Sequence, residues 1–260
     1  MKKKERNITN PYLEYRKAQF YIRAPKNQGE IEGWSKSGIP YLKTFRRFIM
    51  QEGYPCVGAR AAVNGKTFAL GIFERMDSIH AARELAYGLS EYLDDIKESP
   101  SNFRTYIAIF KDDDYDDEIA FEQGMWGLLN RLHGQDSQKN IWCPEVGRDP
   151  VENDFSFSFG QEAFFMVGMH PKSSRKARRF TYPAIAFNLH LQFENLRKKG
   201  RYENMKNAIR SNEIEFAGFI NPMLNDFGKG LEAPQYSGRE VPADWRCPFS
   251  YQPYNTREDG

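Results

Sequence analysis

Cys56 is the residue of this sequence whose surroundings most suggest chemistry. It stands in the stretch YPCVGAR, with Gly58 two residues and Arg60 four residues further on. A glycine just past a cysteine lets backbone N–H groups approach the sulfur, as they do where a thiolate ligates heme iron, and a nearby cation helps to keep the sulfur ionised. Free cysteine is also among the most buried residue types. The local pattern favours a small core residue and leaves half of a disulfide or an iron ligand as alternatives.

The stretch VGMHPKSSRKARRF, residues 167–180, carries the densest polar chemistry. A predicted strand ends at His170, and the following proline turns the chain. Arg175 and Arg178 then supply guanidinium groups suited to anchoring carboxylates or phosphates. His170 could ligate a metal or move protons, and the alternative is a turn histidine beside a solvated basic segment.

Most other motifs that would indicate a known chemistry are absent from the sequence. Cys143 and Cys247 have no spaced partner, and the sequence contains no C-x-x-C or H-x-x-x-H pattern for zinc. No glycine pattern of a dinucleotide site, a P-loop or a serine hydrolase occurs. His190 lies among apolar residues in FNLHLQF, which favours a satisfied core histidine.

Composition narrows the class of protein. The chain has 260 residues, a net charge of +2 and 40% hydrophobic residues, which gives no reason to expect nucleic acid as a partner. No apolar run approaches the ~18 residues that a membrane span needs. Three cysteines without an export signal predict a cytoplasmic protein with reduced thiols.

The hydrophobic pattern predicts a mixed α+β fold, a single domain over residues 1–260 with a largely antiparallel sheet flanked by helices. About 40 residues at each end are expected to wrap the domain. Asn64 and Gly65 predict a hairpin turn between two apolar runs. The acidic run at 111–118 predicts a helix cap, with a divalent-metal site as the alternative. The predicted helices cover 41–53, 78–96, 118–133 and 202–213, and the predicted strands include 103–110, 154–160 and the apolar run from 162.

Several segments together resemble the YqcI/YcgG family. They are YPCVGARAA, NPMLNDFG, APQYSGREVPADWRCPF and the long stretch from FSFSFGQEAFF to MKNAIR. The resemblance spans most of the chain and is densest over residues 154–249. It implies heme b, because characterised relatives look like heme-dependent N-hydroxylases, including the enzyme that hydroxylates a guanidine nitrogen in guanitoxin biosynthesis.

The resemblance changes how the candidate residues are interpreted. A thiolate ligand pushes electron density toward iron and favours O–O cleavage, so Cys56 becomes the first candidate for the iron ligand. CVGAR also resembles the Cys-Ile-Gly-Arg ligand stretch of nitric oxide synthases, which oxidise a guanidine as well. His170 is the second candidate, alone or opposite the sulfur, and His190 is the third.

Cofactor and substrate contacts follow from the same resemblance. Arg175 and Arg178 would pair with heme propionates, with Tyr236 or Arg239 assisting, and Arg60 would lie near the sulfur. A guanidinium substrate would need a buried carboxylate, for which the candidates are Glu162 and Glu232. Four aromatic side chains could pack on the porphyrin or within the sheet: Phe155, Phe157, Phe159 and Phe165.

The resemblance thus implies a cytoplasmic, heme-dependent oxygenase that uses O2 or peroxide to N-hydroxylate a small cationic guanidine or amine. Its electron donor and its oligomeric state, a homodimer included, stay open. One alternative is a heme-binding sensor or carrier without turnover, and another is a non-heme domain that binds anions.

Overall fold

A six-stranded sheet organises the part of the chain that the structure describes. The structure is a computed structural model, and it describes residues 18–25, 38–98 and 103–254. The strands are β1 (Ile22–Arg23), β2 (Phe68–Phe73), β3 (Thr105–Phe110), β4 (Phe157–Phe159), β5 (Glu162–Met169) and β6 (Ala184–Leu189). Their order is β1-β2-β3-β6-β5-β4, and every pairing except β2–β3 is antiparallel. The prediction of a mixed α+β domain with a largely antiparallel sheet is confirmed.

Helices cover both faces of this sheet. Over the described residues they are α1 (Ile39–Ile49), α2 (Val57–Asn64), α3 (Ala81–Glu98), α4 (Glu118–Asp136), α5 (His190–Lys198), α6 (Tyr202–Ala217) and the short α7 (Ala233–Ser237). Helices α3 and α4 pack on one face and build the larger apolar core. Helix α1 packs on the other face and builds a second core.

The predicted helices and strands are recovered with shifted ends, and one prediction is wrong. Residues 57–64 form helix α2, so Asn64 and Gly65 do not turn a hairpin. The backbone N–H of Gly65 bonds to Ala61 O at 2.8 Å and ends the helix. The alanine-rich run before Asn64 suits a helix, and a glycine just past a helix is as usual as one in a hairpin turn. Most of the first 40 residues, for which wrapping was predicted, lie outside the described residues.

The acidic run at 111–118 starts helix α4. The side chain of Asp117 caps the helix by accepting the N–H of Ala120 at 2.8 Å. Within the described ranges, no group of three or more His, Cys, Asp or Glu side chains is arranged to hold a metal ion. The same ranges contain no helix that is both long and apolar enough to cross a membrane.

Strand β2 and helix α3 approach each other closely at two glycines. The hydroxyl of Tyr106 donates a hydrogen bond to Phe20 O at 2.5 Å in the space between them. A Cβ added at Gly71 or at Gly88 would overlap this hydroxyl. The two glycines therefore make room for a fully buried tyrosine whose hydroxyl is satisfied.

We expect Gly88→Ala to destabilise the protein although alanine is the better helix former. Propensity alone favours alanine by about 1 kcal/mol. Overlap with Tyr106 and loss of its hydrogen bond to Phe20 outweigh this, so the free energy of unfolding should fall by about 2–4 kcal/mol. Urea denaturation measures the change.

Gly127→Ala in α4 is the matched control, because a Cβ there meets only Arg131 Nη1, at 3.6 Å. The control should leave the free energy of unfolding unchanged or raise it by up to about 1 kcal/mol. Equal effects of the two substitutions would contradict the close approach at Gly88.

Candidate functional site

A cavity of about 290 Å3 lies on the sheet face that α3 and α4 leave uncovered. Ligand pockets typically measure ~300–1,000 Å3, so this cavity is at the small end of that range. Alternation along β5 sends every second side chain into it. Its walls are mostly apolar and include Phe165, Val167 and Met169 of β5, Ala186 of β6, and Met205 and Ile209 of α6.

Cys56 lies in the wall of this cavity, at the N-terminus of α2. Its Sγ accepts the backbone N–H of Ala59 at 3.4 Å, so the sulfur caps the helix. Burial raises the pKa of the Cys56 thiol, against the N–H groups of Ala59 and Gly58, which lower it. All three cysteines are free, which removes the disulfide alternative. Cys56 is thus a protonated thiol that backbone N–H groups already approach.

Two buried arginines stand near Cys56, and both line the cavity. Arg175 Nη2 donates to Glu213 Oε1 at 2.9 Å. Arg178 donates to the backbone oxygens of Tyr236 and Gln235, each at 2.9 Å. No carboxylate of the described residues lies within ion-pair distance of Arg178. Burial and the neighbouring Arg175 lower the pKa of Arg178 to about 9, so it remains cationic at neutral pH.

Glu232 and His190 are two further titratable groups of the cavity wall, which also includes Arg104, Arg197, Lys206, Arg210, Glu213 and Asp226. Glu232 is 3% exposed, and burial raises its pKa to about 8. Within the described ranges it forms no ion pair. Burial lowers the pKa of His190, which is therefore neutral at pH 7. Its ring lies 4.1 Å from that of Phe227, and its buried Nε2 has no hydrogen-bond partner among the described residues.

The structure separates His170 from this cavity. His170 follows Met169 and therefore points to the opposite face of the sheet. There its ring stacks on that of Phe121, with 4.2 Å between the ring centroids. Burial lowers the pKa of His170 to about 4. His170 and Cys56 are not brought to one site, so an arrangement with both on the same iron has no geometric support.

Four further predicted residues also lie away from the cavity lining. The Tyr236 hydroxyl donates to Phe164 O at 3.3 Å inside the larger core. Arg239 pairs with Glu122 of α4 at 2.6 Å. Arg60 and Glu162 contribute no lining side chain, and Glu162 is the half-buried first residue of β5.

Only one of the four predicted aromatic side chains faces the cavity. Phe165 does so, whereas Phe155, Phe157 and Phe159 pack within the core on the other face. The cavity is also lined by four residues to which no sequence motif pointed: Asn188, Gln192, Glu213 and Asp226. Asn188 could have been noticed as a polar residue within an apolar strand, whereas nothing in the sequence separates Glu213 from the solvated acids of its helix.

Residues 45–250 of the 260 match the model of the YqcI/YcgG family. The matched range contains every residue of the cavity wall named above. No curated protein and no solved structure matches the chain.

We expect Glu232→Gln to change how stability depends on pH. The pKa of the folded carboxyl, about 8, is raised above the ordinary value of 4.5. A raised carboxyl pKa contributes stability that is fully present below the unfolded pKa and is lost as pH rises through the folded pKa. From pH 4.5 to 8, wild type should therefore lose stability that the glutamine variant retains.

Urea unfolding of both proteins at several pH values across this window measures the difference. Glu215→Gln, at an exposed position of α6, is the control and should follow the wild-type curve. If the unfolding free energies of wild type and Glu232→Gln change in parallel with pH, the raised pKa of Glu232 is contradicted.

Proposed function

The chain belongs to the YqcI/YcgG family, and from that premise we propose that it is a heme-dependent oxygenase that N-hydroxylates a small guanidine- or amine-containing substrate. One observation carries the proposal. A single cavity combines the helix-capping thiol of Cys56 with the buried, unpaired carboxyl of Glu232. The first group suits a heme iron and the second suits a cation.

The residues around Cys56 fit a heme thiolate. Backbone N–H groups that reach the sulfur disperse thiolate charge, and the helix N-terminus favours a negative charge. Binding a metal displaces the thiol proton, which overcomes the pKa that burial raises in the free protein. The charge of Arg178, which only neutral oxygens contact, would be balanced by the thiolate or by a heme propionate.

The apolar walls fit the porphyrin. Phe165, Val167 and Met169 offer an uncharged surface on β5, and Met205 and Ile209 face it from α6. Such walls keep water away from a bound macrocycle. When bound through Cys56, heme would supply the activation of O2 or peroxide that an amine or guanidine nitrogen requires.

Glu232 is the residue that we assign to the substrate. A buried carboxyl without an ion-pair partner gains most from a cation, because an opposite charge lowers its pKa and stabilises its ionised form. A guanidinium group matches a carboxylate with two parallel N–H donors. His190 Nε2, neutral and unpartnered, offers a second polar contact in the same cavity. Glu162, the other candidate, does not line the cavity.

The same contacts weigh on the alternatives. A heme-free anion site could use the charge of Arg178, which only neutral oxygens balance, but it leaves the thiol of Cys56 and the carboxyl of Glu232 without a role. A heme sensor or carrier would have no use for a buried, unpaired Glu232. The proposal includes a cytoplasmic location, for which the free thiols are suitable, and an electron donor where O2 is the oxidant.

We expect protein expressed with a heme precursor to show a Soret band, and its reduced form to give the red-shifted CO maximum of a thiolate complex. Cys56→Ser should lose heme or lose that maximum, because serine cannot supply the thiolate. Cys247→Ser, outside the cavity wall, and His170→Ala, on the other face, should both retain the wild-type spectrum. Absorption spectra of the ferric, ferrous and ferrous–CO forms measure these outcomes.

A wild-type CO spectrum in Cys56→Ser would contradict the assignment of Cys56 as the iron ligand. A histidine-type spectrum that His190→Ala abolishes would move the ligand to α5. Protein that stays colourless after hemin addition would contradict the proposal that it binds heme.

We expect Glu232→Gln to weaken binding of guanidinium and amine probes by about 10- to 100-fold, since a hydrogen bond to a charged group contributes ~1.5–3 kcal/mol. Calorimetry with arginine and simple alkylguanidines measures this loss. Glu162→Gln is the matched control and should bind as wild type does. Equal affinities of Glu232→Gln and wild type for a probe that binds the cavity would exclude Glu232 as the cation site.

A further inference from the structure

Helix α6 buries very few of its side chains. It is 16 residues long, and Glu213 is its single buried residue. Helices in proteins are normally stabilised by burying an apolar stripe. Apart from Phe216, whose ring packs against Tyr54, α6 therefore depends on contacts other than a buried apolar stripe.

Two aliphatic side chains in the middle of α6 face the cavity, whereas Phe216 at its C-terminal end packs on the second core and Ile214 is exposed. Met205 and Ile209 line the cavity and are only half-buried. Across the cavity they face β5 residues such as Val167, which belong to the same lining. The helix therefore covers the cavity with apolar side chains that remain half-buried.

Polar tethers hold the helix in place. At its C-terminal half, Glu213 Oε1 accepts from Arg175 Nη2 at 2.9 Å, and both side chains are buried. Asn212 Nδ2 donates to Pro55 O at 3.3 Å, next to Cys56. Near the other end, the Lys206 ammonium lies 3.1 Å from Asp226, and these side chains are 15% and 25% exposed, against 8% and 7% for Arg175 and Glu213. The buried pair is the strongest of these tethers, because screening by water is weakest there.

A glycine in the left-handed region stands near each end of α6. Gly200 precedes the helix with φ +65°, and Gly218 follows it with φ +85°. A Cβ added at either glycine would meet no atom within 4 Å. Glycines of this kind also end ordinary helices, and with open space around them they can absorb the backbone rotation of a hinge.

We propose that α6 is a movable cover of the cavity and that Glu213 is the residue that latches it, through Arg175. Opening breaks the Arg175–Glu213 ion pair and exposes both groups to water, which compensates each for the lost partner. Closing over a ligand completes the apolar contacts of Met205 and Ile209. The proposal concerns access to the cavity and holds whether or not the ligand is heme.

Hydrogen exchange of the ligand-free protein, resolved by mass spectrometry across low urea concentrations, tests the proposal. A cover opens locally and exposes little surface, so its exchange is fast and insensitive to urea, unlike that of a core element. Amides of α6 should exchange at least about tenfold faster than those of α3, which buries a continuous apolar face, and should show little urea dependence. Glu213→Gln should accelerate hydrogen exchange of the α6 amides by about a further tenfold or more. The substitution leaves Arg175 without its charged partner in the closed state.

Glu215→Gln is the matched control, on the same helix and exposed, and should leave α6 exchange unchanged. The proposal is overturned by either of two results. One is α6 exchange as slow and as urea-dependent as that of α3, which would mean that α6 opens only by global unfolding. The other is unchanged α6 exchange in Glu213→Gln, which would show that Glu213 is not the latch. Because the experiment contains no heme, failure to bind heme would leave its result intact.

Discussion

Alternation along β5 is the constraint on which the rest of the structure depends. Phe164 and Met166 point into the core that α3 and α4 close, whereas Phe165, Val167 and Met169 point into the cavity. The period of two along a strand leaves no intermediate position. Every functional residue near this strand is therefore assigned to one face by its register. This is why His170 lies behind the sheet although its sequence neighbours form the cavity wall.

The cavity is also a place where buried charge is only partly compensated. Arg175 has its partner in Glu213, but Arg178 has only carbonyl oxygens. Among the described residues Glu232 forms no ion pair, although the charge of Arg197 acts on it and lowers its pKa against the effect of burial. Burying such groups costs stability, and protein interiors normally avoid it. Groups kept at that cost cluster at functional sites, where a ligand supplies the missing charge. A thiolate-bound cofactor near Arg178 and a cation beside Glu232 would supply both.

Much of the fold was predictable from periodicity, and the site only in part. The longest helices and the central strands have apolar patterns whose periods differ, which distinguishes a helix from a strand. The prediction of a hairpin turn at 64–65 was wrong, because Asn-Gly ends a helix as readily as it turns a hairpin. Cys56 could be recognised from its glycine spacing, whereas Glu213 could not, since its burial depends on Arg175 approaching from a distant loop. Which face receives His170 depends on a register that composition does not reveal.

The central claim is that the thiolate of Cys56 binds a heme iron in this cavity. Iron-edge X-ray absorption of the purified holoprotein tests it most directly, because the first shell distinguishes a sulfur scatterer from nitrogen and oxygen. The account predicts one sulfur together with the porphyrin nitrogens, and the sulfur should vanish in Cys56→Ser. A first shell of nitrogen and oxygen alone in the wild-type protein would contradict it.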